Sequence, residues 1–345
     1  MFNLFRSLSI LLFVAPLFAQ PTIEVDGTID QTLPSQPEKT IQLIRLKLSS
    51  EAETLIAKKM VQAKLLDTNK LVLEGTRVTP SVQLGMNNVP VLDQGPHGTC
   101  VTFSTTAALD AIIGQGDYIS QLCTLTLNQY LSSHGYAPDF WNGTLPKHVF
   151  NQMNIFGIIS KTNEQQYGCG GLTEYPNLPS TKSNEMDVDE FHQISENLSD
   201  LIDFDTTQIL DYYQFVQKET SVKKIEQDVK NALNQGDRLT IGTIVIPDGF
   251  IGAYGKYHVS NDTWILNADV VNYINSNQEL AGHAMVLTGY DDYAVVMDSQ
   301  GKVHRGLFTL RNSWGPRAGD QGNFYMSYDY FRSLVMDLMR IRKLS

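Results

Sequence analysis

The spacing of apolar residues changes character along this chain, and that change limits the folds open to it. Beyond residue 80 they first recur at helical intervals, over about 100–113, 124–134, 145–156, 187–202 and 222–235. They then alternate or run continuously at strand spacing, over about 238–246, 283–290, 293–298, 305–312 and 322–327. Helices followed by strands predict an α+β chain in which a helical lobe packs beside a sheet lobe, with a cleft between them. The composition, 42% hydrophobic and 18% charged, is ample for such a core.

The first eighty residues read differently. Arg6 precedes an apolar run from Leu8 to Phe18 that ends at the small residue Ala19, so residues 1–19 read as a signal peptide. The run is too short to span about 30 Å of hydrocarbon, and no membrane partner is expected once the signal is removed. Ile23, Val25 and Ile29 around Asp26-Gly27 predict a short hairpin turning at the Asp-Gly pair. The run TIQLIRLKL, from Thr40 to Leu48, suits a half-exposed strand. Ser49 and Ser50 then offer caps to a helix with Ala52, Leu55, Ile56, Met60 and Ala63 on one face. Residues 20–80 are therefore expected as a hairpin-helix unit near the lower size limit for independent stability, with its apolar face packed on the remainder of the chain. Residues 81–345 form the main domain.

A formal net charge of -11 argues against a nucleic-acid partner, which requires a basic footprint. Three cysteines, at 100, 123 and 169, leave one thiol over in a chain bound for an oxidising compartment. Pairing of Cys123 with Cys169 would stabilise the fold by roughly 4 kcal/mol and free Cys100; the alternative is three buried, unpaired thiols. The remaining histidines, His134, His148, His192, His258 and His304, show no metal-ligand spacing, and no cofactor is implied. Asn142, Asn197 and Asn261 head glycosylation sequons, which matter only in a eukaryotic source.

Three stretches carry chemistry. In PVLDQGPHGTCVTFS a helix begins at Cys100, and a thiol at a helix N-terminus is drawn toward thiolate. Gln94, six residues earlier, supplies an amide that with the Cys100 N–H would hold an oxyanion, and Gly98 would admit a close backbone approach. In AGHAMVLTGYDDYAVV, His283 opens a strand and offers a base. In LFTLRNSWGPRAGDQGNF, Asn312 would orient the imidazole and Trp314 would shield their bond from water.

In the order Gln, Cys, His, Asn these contexts resemble the papain-like cysteine peptidase family, over about residues 80–345. LTLNQYL, YGCGG and KNALNQGDRLTIGTIV add weaker likeness. The resemblance implies a papain-like two-lobed fold with an antiparallel sheet or barrel lobe and a Cys100–His283–Asn312 site. It also implies peptide or protein substrates, and together with the export signal it favours a secreted monomer with residues 20–80 as a propeptide acting as intramolecular inhibitor over an N-terminal structural extension. The chain departs from better-known members in several places. Val101 and His97 stand where those have a tryptophan and a disulfide cysteine. The separation from Cys100 to His283, about 180 residues, exceeds the usual 130–150 or so, which implies an insertion within about Leu172–Val222, a lid or a surface decoration. The N-terminal unit lacks the family's long helical propeptide pattern. Two rival readings stand beside this one: a catalytically inactive papain-fold binding protein or permanently blocked precursor, and a transglutaminase-like acyltransferase, against which Asn312 speaks.

Overall fold

The computed structural model describes residues 21–344 apart from 35, 69–79, 179–182, 218–220, 248–251, 257–260 and 277, so the signal-peptide expectation for 1–19 lies outside the described residues. The chain opens with β1 (Ile23–Leu33), β2 (Gln36–Leu48) and α1 (Ser50–Thr68), then a short β3 (Ser81–Gln83). The helical lobe comprises α2 (Cys100–Ile113), α3 (Gln121–Ser133), α4 (Pro146–Phe156), α5 (Lys161–Tyr167), α6 (Val188–Ile194) and α7 (Leu198–Leu201). After β4 (Phe204–Leu210), α8 (Tyr212–Gln217) and α9 (Val222–Asn234) come β5 (Arg238–Val245), β6 (Thr263–Trp264) and α10 (Ala268–Asn275). The chain closes with β7 (Leu280–Met297), β8 (Val303–Arg311), β9 (Asn323–Ser327), α11 (Tyr328–Leu334) and β10 (Val335–Lys343). The fold is α+β, with helices ahead of a large sheet.

The sheet runs β4-β10-β5-β7-β8-β9-β6, antiparallel except for the β6–β9 pair. β7 is its spine. It pairs with β5 along one edge, and on the other edge with β2 at Leu280–Gly282 and with β8 from Val286 onward. Between those two pairings, residues 283–285 have no ladder partner on that edge among the described residues. The gap opens at His283, and the N-terminal end of α2 lies against it, because Cys100 bonds to the Ala284 backbone.

The N-terminal unit is built into this architecture. Ile41, Leu43, Ile44 and Leu46 of β2, with Ala52, Ile56, Met60 and Ala63 of α1, belong to the same buried cluster as Phe103, Ala107 and Leu109 of α2. α1 packs on α11 and α10. Each large aliphatic side chain buried there contributes roughly 1.5–3 kcal/mol. A second cluster, with Leu122, Leu127, Ile159 and Phe191, surrounds a disulfide between Cys123 of α3 and Cys169. Cys123→Ser is expected to lower unfolding free energy by about 2–5 kcal/mol in urea titrations, an effect that reduction with dithiothreitol reproduces in the wild type.

Several expectations are corrected. The hairpin does not turn at Asp26-Gly27. Gly27, at φ 86°, sits at a register shift between Val25 and Thr28, and the chain reverses between Leu33 and Gln36. A glycine with positive φ suits a bulge as well as a turn. The helix expected over 187–202 breaks into α6 and α7 because Glu196 exchanges two backbone hydrogen bonds with Ile158, at 2.8 and 2.9 Å. The two strands expected at 283–290 and 293–298 are one strand with an irregularity between Asp291 and Val295. The inserted stretch is more than surface decoration, since its β4 forms the edge of the sheet beside β10.

Candidate active site

α2 starts at Cys100 after Thr99 at φ -98° and ψ 14°, and Gly114, at φ 81°, closes it in the left-handed conformation. Its sides are nearly all small, from Thr102 through Ala108, which lets β7 and β5 approach closely. Cys100 is the free cysteine and is fully buried.

His283 lies on β7 and Asn312 just beyond β8, two neighbouring strands whose register brings them together. His283 Nε2 and Asn312 Oδ1 are 2.7 Å apart, and the Ser313 N–H donates to the same oxygen at 2.8 Å. An amide oxygen only accepts, so its histidine partner must donate: Nε2 carries the proton and Nδ1 is bare. Nδ1 has no hydrogen-bond partner among the described residues. Trp314 stacks on the imidazole at 4.5 Å between centroids and 25° between planes, with Phe324 edge-on behind it.

The loop before Cys100 is tied to the loop after β8. Gln94 N–H donates to the Ser313 carbonyl, the Gly315 N–H to Leu92, and Ser313 Oγ to Gln94 Oε1 at 2.8 Å. The Gln94 amide nitrogen then faces inward and donates to the His97 carbonyl at 2.9 Å and to the Gln42 carbonyl at 3.3 Å. The group expected to hold an oxyanion thus holds a backbone carbonyl of β2. At Gly98 an added Cβ would come within 2.7 Å of Thr28 Cγ2 and 2.9 Å of the Trp141 carbonyl. The close approach expected there exists, and the approaching chain is the N-terminal hairpin.

Tyr175 was not singled out by the sequence. Its hydroxyl donates to the Gln94 carbonyl at 3.0 Å and accepts from Thr99 Oγ1 at 2.8 Å, fastening both ends of the loop that leads to Cys100. His97 packs edge-on against Tyr175 and Trp141 and reaches the Pro176 carbonyl at 3.2 Å. An aromatic cluster therefore steadies the loop that leads to Cys100. No spacing rule could have found Tyr175, which lies 76 residues from Thr99.

Cys100 and His283 line one cavity of about 250 Å³, together with Ile44 and Leu46 of the hairpin and Gly242 and Asp337 of the sheet. Burial sets the electrostatics. It pushes the Cys100 thiol up to about 11, against the opposing pull of backbone bonds at Ala284, Val101 and Cys100 itself. It holds His283 down to about 4, although the Asn312 bond favours the charged ring. The thiolate expected from the helix N-terminus is thus not the form present with the cleft covered, because desolvation outweighs the helix dipole. No described helix is long and apolar enough to cross a membrane.

No curated protein matches this chain in sequence. Among solved structures it is similar to xylellain, a cysteine protease from Xylella fastidiosa, at 20% identity over 80% of this chain and 90% of that one, with a TM-score of 0.47. It is also similar to digestive procathepsin L 3 of Tenebrio molitor larval midgut, at 17% identity over 81% and 78%, TM-score 0.43. A third is the bromelain protease from Ananas comosus in complex with the E64 inhibitor, at 16% identity over 76% and 98%, TM-score 0.42. Residues 258–344, the segment that carries His283, Asn312 and Trp314, match the model of the Peptidase C1-like family.

Proposed function

We propose that this chain is a papain-like cysteine peptidase, made as an exported zymogen in which Cys100, His283 and Asn312 form the catalytic triad and residues 20–80 block it. One observation carries this reading: the thiol at the start of α2 and the bare Nδ1 of the His283–Asn312 pair line a single cavity, and β2 lies across it. β2 occupies the cleft as an added strand on the edge of β7, a mode that places the Gln42 carbonyl at Gln94. Lys39 of β2 adds an ion pair to Asp93 and a bond to the Trp314 carbonyl, which anchors the hairpin beside the site.

Once the hairpin leaves, a substrate carbonyl takes the place of Gln42. The Cys100 proton passes to His283 Nδ1, and the sulfur attacks the carbonyl carbon. The oxyanion accepts from the Cys100 N–H and the Gln94 amide. His283 then protonates the leaving amine, and the C–N bond breaks to leave a thioester. Water attacks the thioester, giving its proton to His283, and the acid product departs as the sulfur takes the proton back. Export by residues 1–19 places the protein outside the cytoplasm, where a Cys123–Cys169 disulfide is stable.

The test is mass-spectrometric labelling by an epoxysuccinyl inhibitor of uncleaved protein, protein cleaved near residue 80, and Cys100→Ala. An adduct on Cys100 that appears only after cleavage supports the zymogen. An adduct in neither form of folded wild type favours a blocked or inactive binding protein, the reading to which the high thiol and low imidazole pKa lend weight.

A further inference from the structure

We propose that Asp337 makes the pocket beside Cys100 a receptor for a cationic group of the substrate, an arginine or lysine side chain or a free α-amine. This rests on the catalytic reading above. Asp337 is 4% exposed and lines the same cavity as Cys100 and His283. Gln208 donates to one carboxylate oxygen, Oδ2, at 3.0 Å. The other, Oδ1, is buried and has no partner among the described residues. A buried acceptor without a donor is destabilising, and a ligand bearing N–H groups removes that cost.

The sheet sets the distance. Asp337 pairs with Gly242 on β5, and Gly242 pairs with Ala284 on β7, whose backbone bonds the Cys100 thiol. Two strand spacings of about 4.8 Å separate the carboxylate's strand from β7, a span that a long side chain one or two residues from the scissile carbonyl covers. Gly242 keeps the route clear, for a Cβ there would stand 3.1 Å from the Asp337 Cβ. Met336, Leu145 and Pro146 give the wall an apolar stretch. Such a wall suits the methylene stem of lysine or arginine while the head reaches the acid.

Burial, with Asp211 adding to it, raises Asp337 to about 7, while Gln208 and Lys147 pull it down. The other charged or titratable groups lining the cavity are His148 of α4, Tyr212 of α8, His283 of β7 and Glu24 of β1. His148 and His283 are both held low by burial and so are neutral near pH 7. Preference for a cation therefore grows with rising pH as the acid ionises.

The experiment measures Cys100 alkylation in the full chain, before and after processing, by dipeptidyl acyloxymethyl ketones. The residue next to the electrophile-bearing one is Arg, citrulline or Leu, with the amino terminus free or blocked. Expected is at least a roughly tenfold rate advantage of Arg over its neutral isostere citrulline. That advantage is lost in Asp337→Asn, kept in Asp337→Glu, and larger at pH 8 than at pH 6. If only the free-amine probes depend on Asp337, the α-amine is the group received. Equal rates for Arg, citrulline and Leu in a wild type that does react overturn the inference alone. No reaction at Cys100 with any probe overturns the catalytic reading and this inference with it. Circular dichroism and thermal unfolding of both variants establish that they fold.

Discussion

Replacing Cys100 with alanine is expected to lower peptide hydrolysis by the processed protein by on the order of 10^4–10^6-fold, leaving its fold and its substrate affinity nearly unchanged. The size comes from the loss of the covalent route: with no sulfur there is no thioester, and His283 retains no group from which to take a proton. His283→Ala should cost a similar factor, and the double variant little more than either alone, because the two groups act in one step. Fluorogenic peptides report the rates, and non-covalent binding of the uncleaved peptide to Cys100→Ala reports affinity. Full hydrolysis by Cys100→Ala would exclude the thiol mechanism. Additive losses in the double variant would exclude a joint role for Cys100 and His283.

The second large effect lies in the reactivity of the thiol. With the cleft covered, the Cys100 thiol sits at about 11. Near pH 7 that leaves a thiolate fraction on the order of 10^-4. Iodoacetamide labelling of the uncleaved protein is therefore expected to rise about tenfold per pH unit between neutrality and about pH 10. Ile44→Glu should change this. Ile44 pairs with Gly282 and packs its side chain against Gly98 and Gly143, so a carboxylate there is buried without a partner and drives the hairpin out. Water then reaches the site, the desolvation that raised the thiol falls, and the helix dipole and the imidazole favour the anion. Labelling at neutral pH should accelerate by on the order of 10^3-fold and become nearly independent of pH. Fast, pH-independent labelling of Cys100 in the uncleaved wild type would show that the hairpin does not govern the thiol.

Much of this arrangement was legible in the sequence where the cause is local. α2, α4 and α9 arise from apolar spacing and capping residues, and β5, β8 and β9 from short runs of β-branched and aromatic residues. Gln94, Cys100, His283, Asn312 and Trp314 are legible because glycines and other small or polar residues flank them in otherwise apolar stretches. β4 and β10 did not stand out. FDTTQIL and VMDLMRIRK become strands because each finds the other, and β10 also finds β5, across long stretches of chain. α5, α8, α10 and α11, at six to eight residues, span only about two turns, too few for a repeating apolar pattern to show.

The sequence alone determined which groups are chemically able to act: one thiol at a helix start, an imidazole, an amide to orient it and a tryptophan to cover it. Their state was decided only by the tertiary structure. β2 fills the cleft, so Cys100 holds its proton, Gln94 holds the Gln42 carbonyl, and a carboxylate that reads as ordinary strand polarity at Asp337 becomes an unsatisfied acceptor beside the thiol. Burial is the physical reason. Loss of water shifts a proton or strands an acceptor by more than any neighbour in the sequence can, and which groups lose water depends on segments brought together from distant parts of the chain.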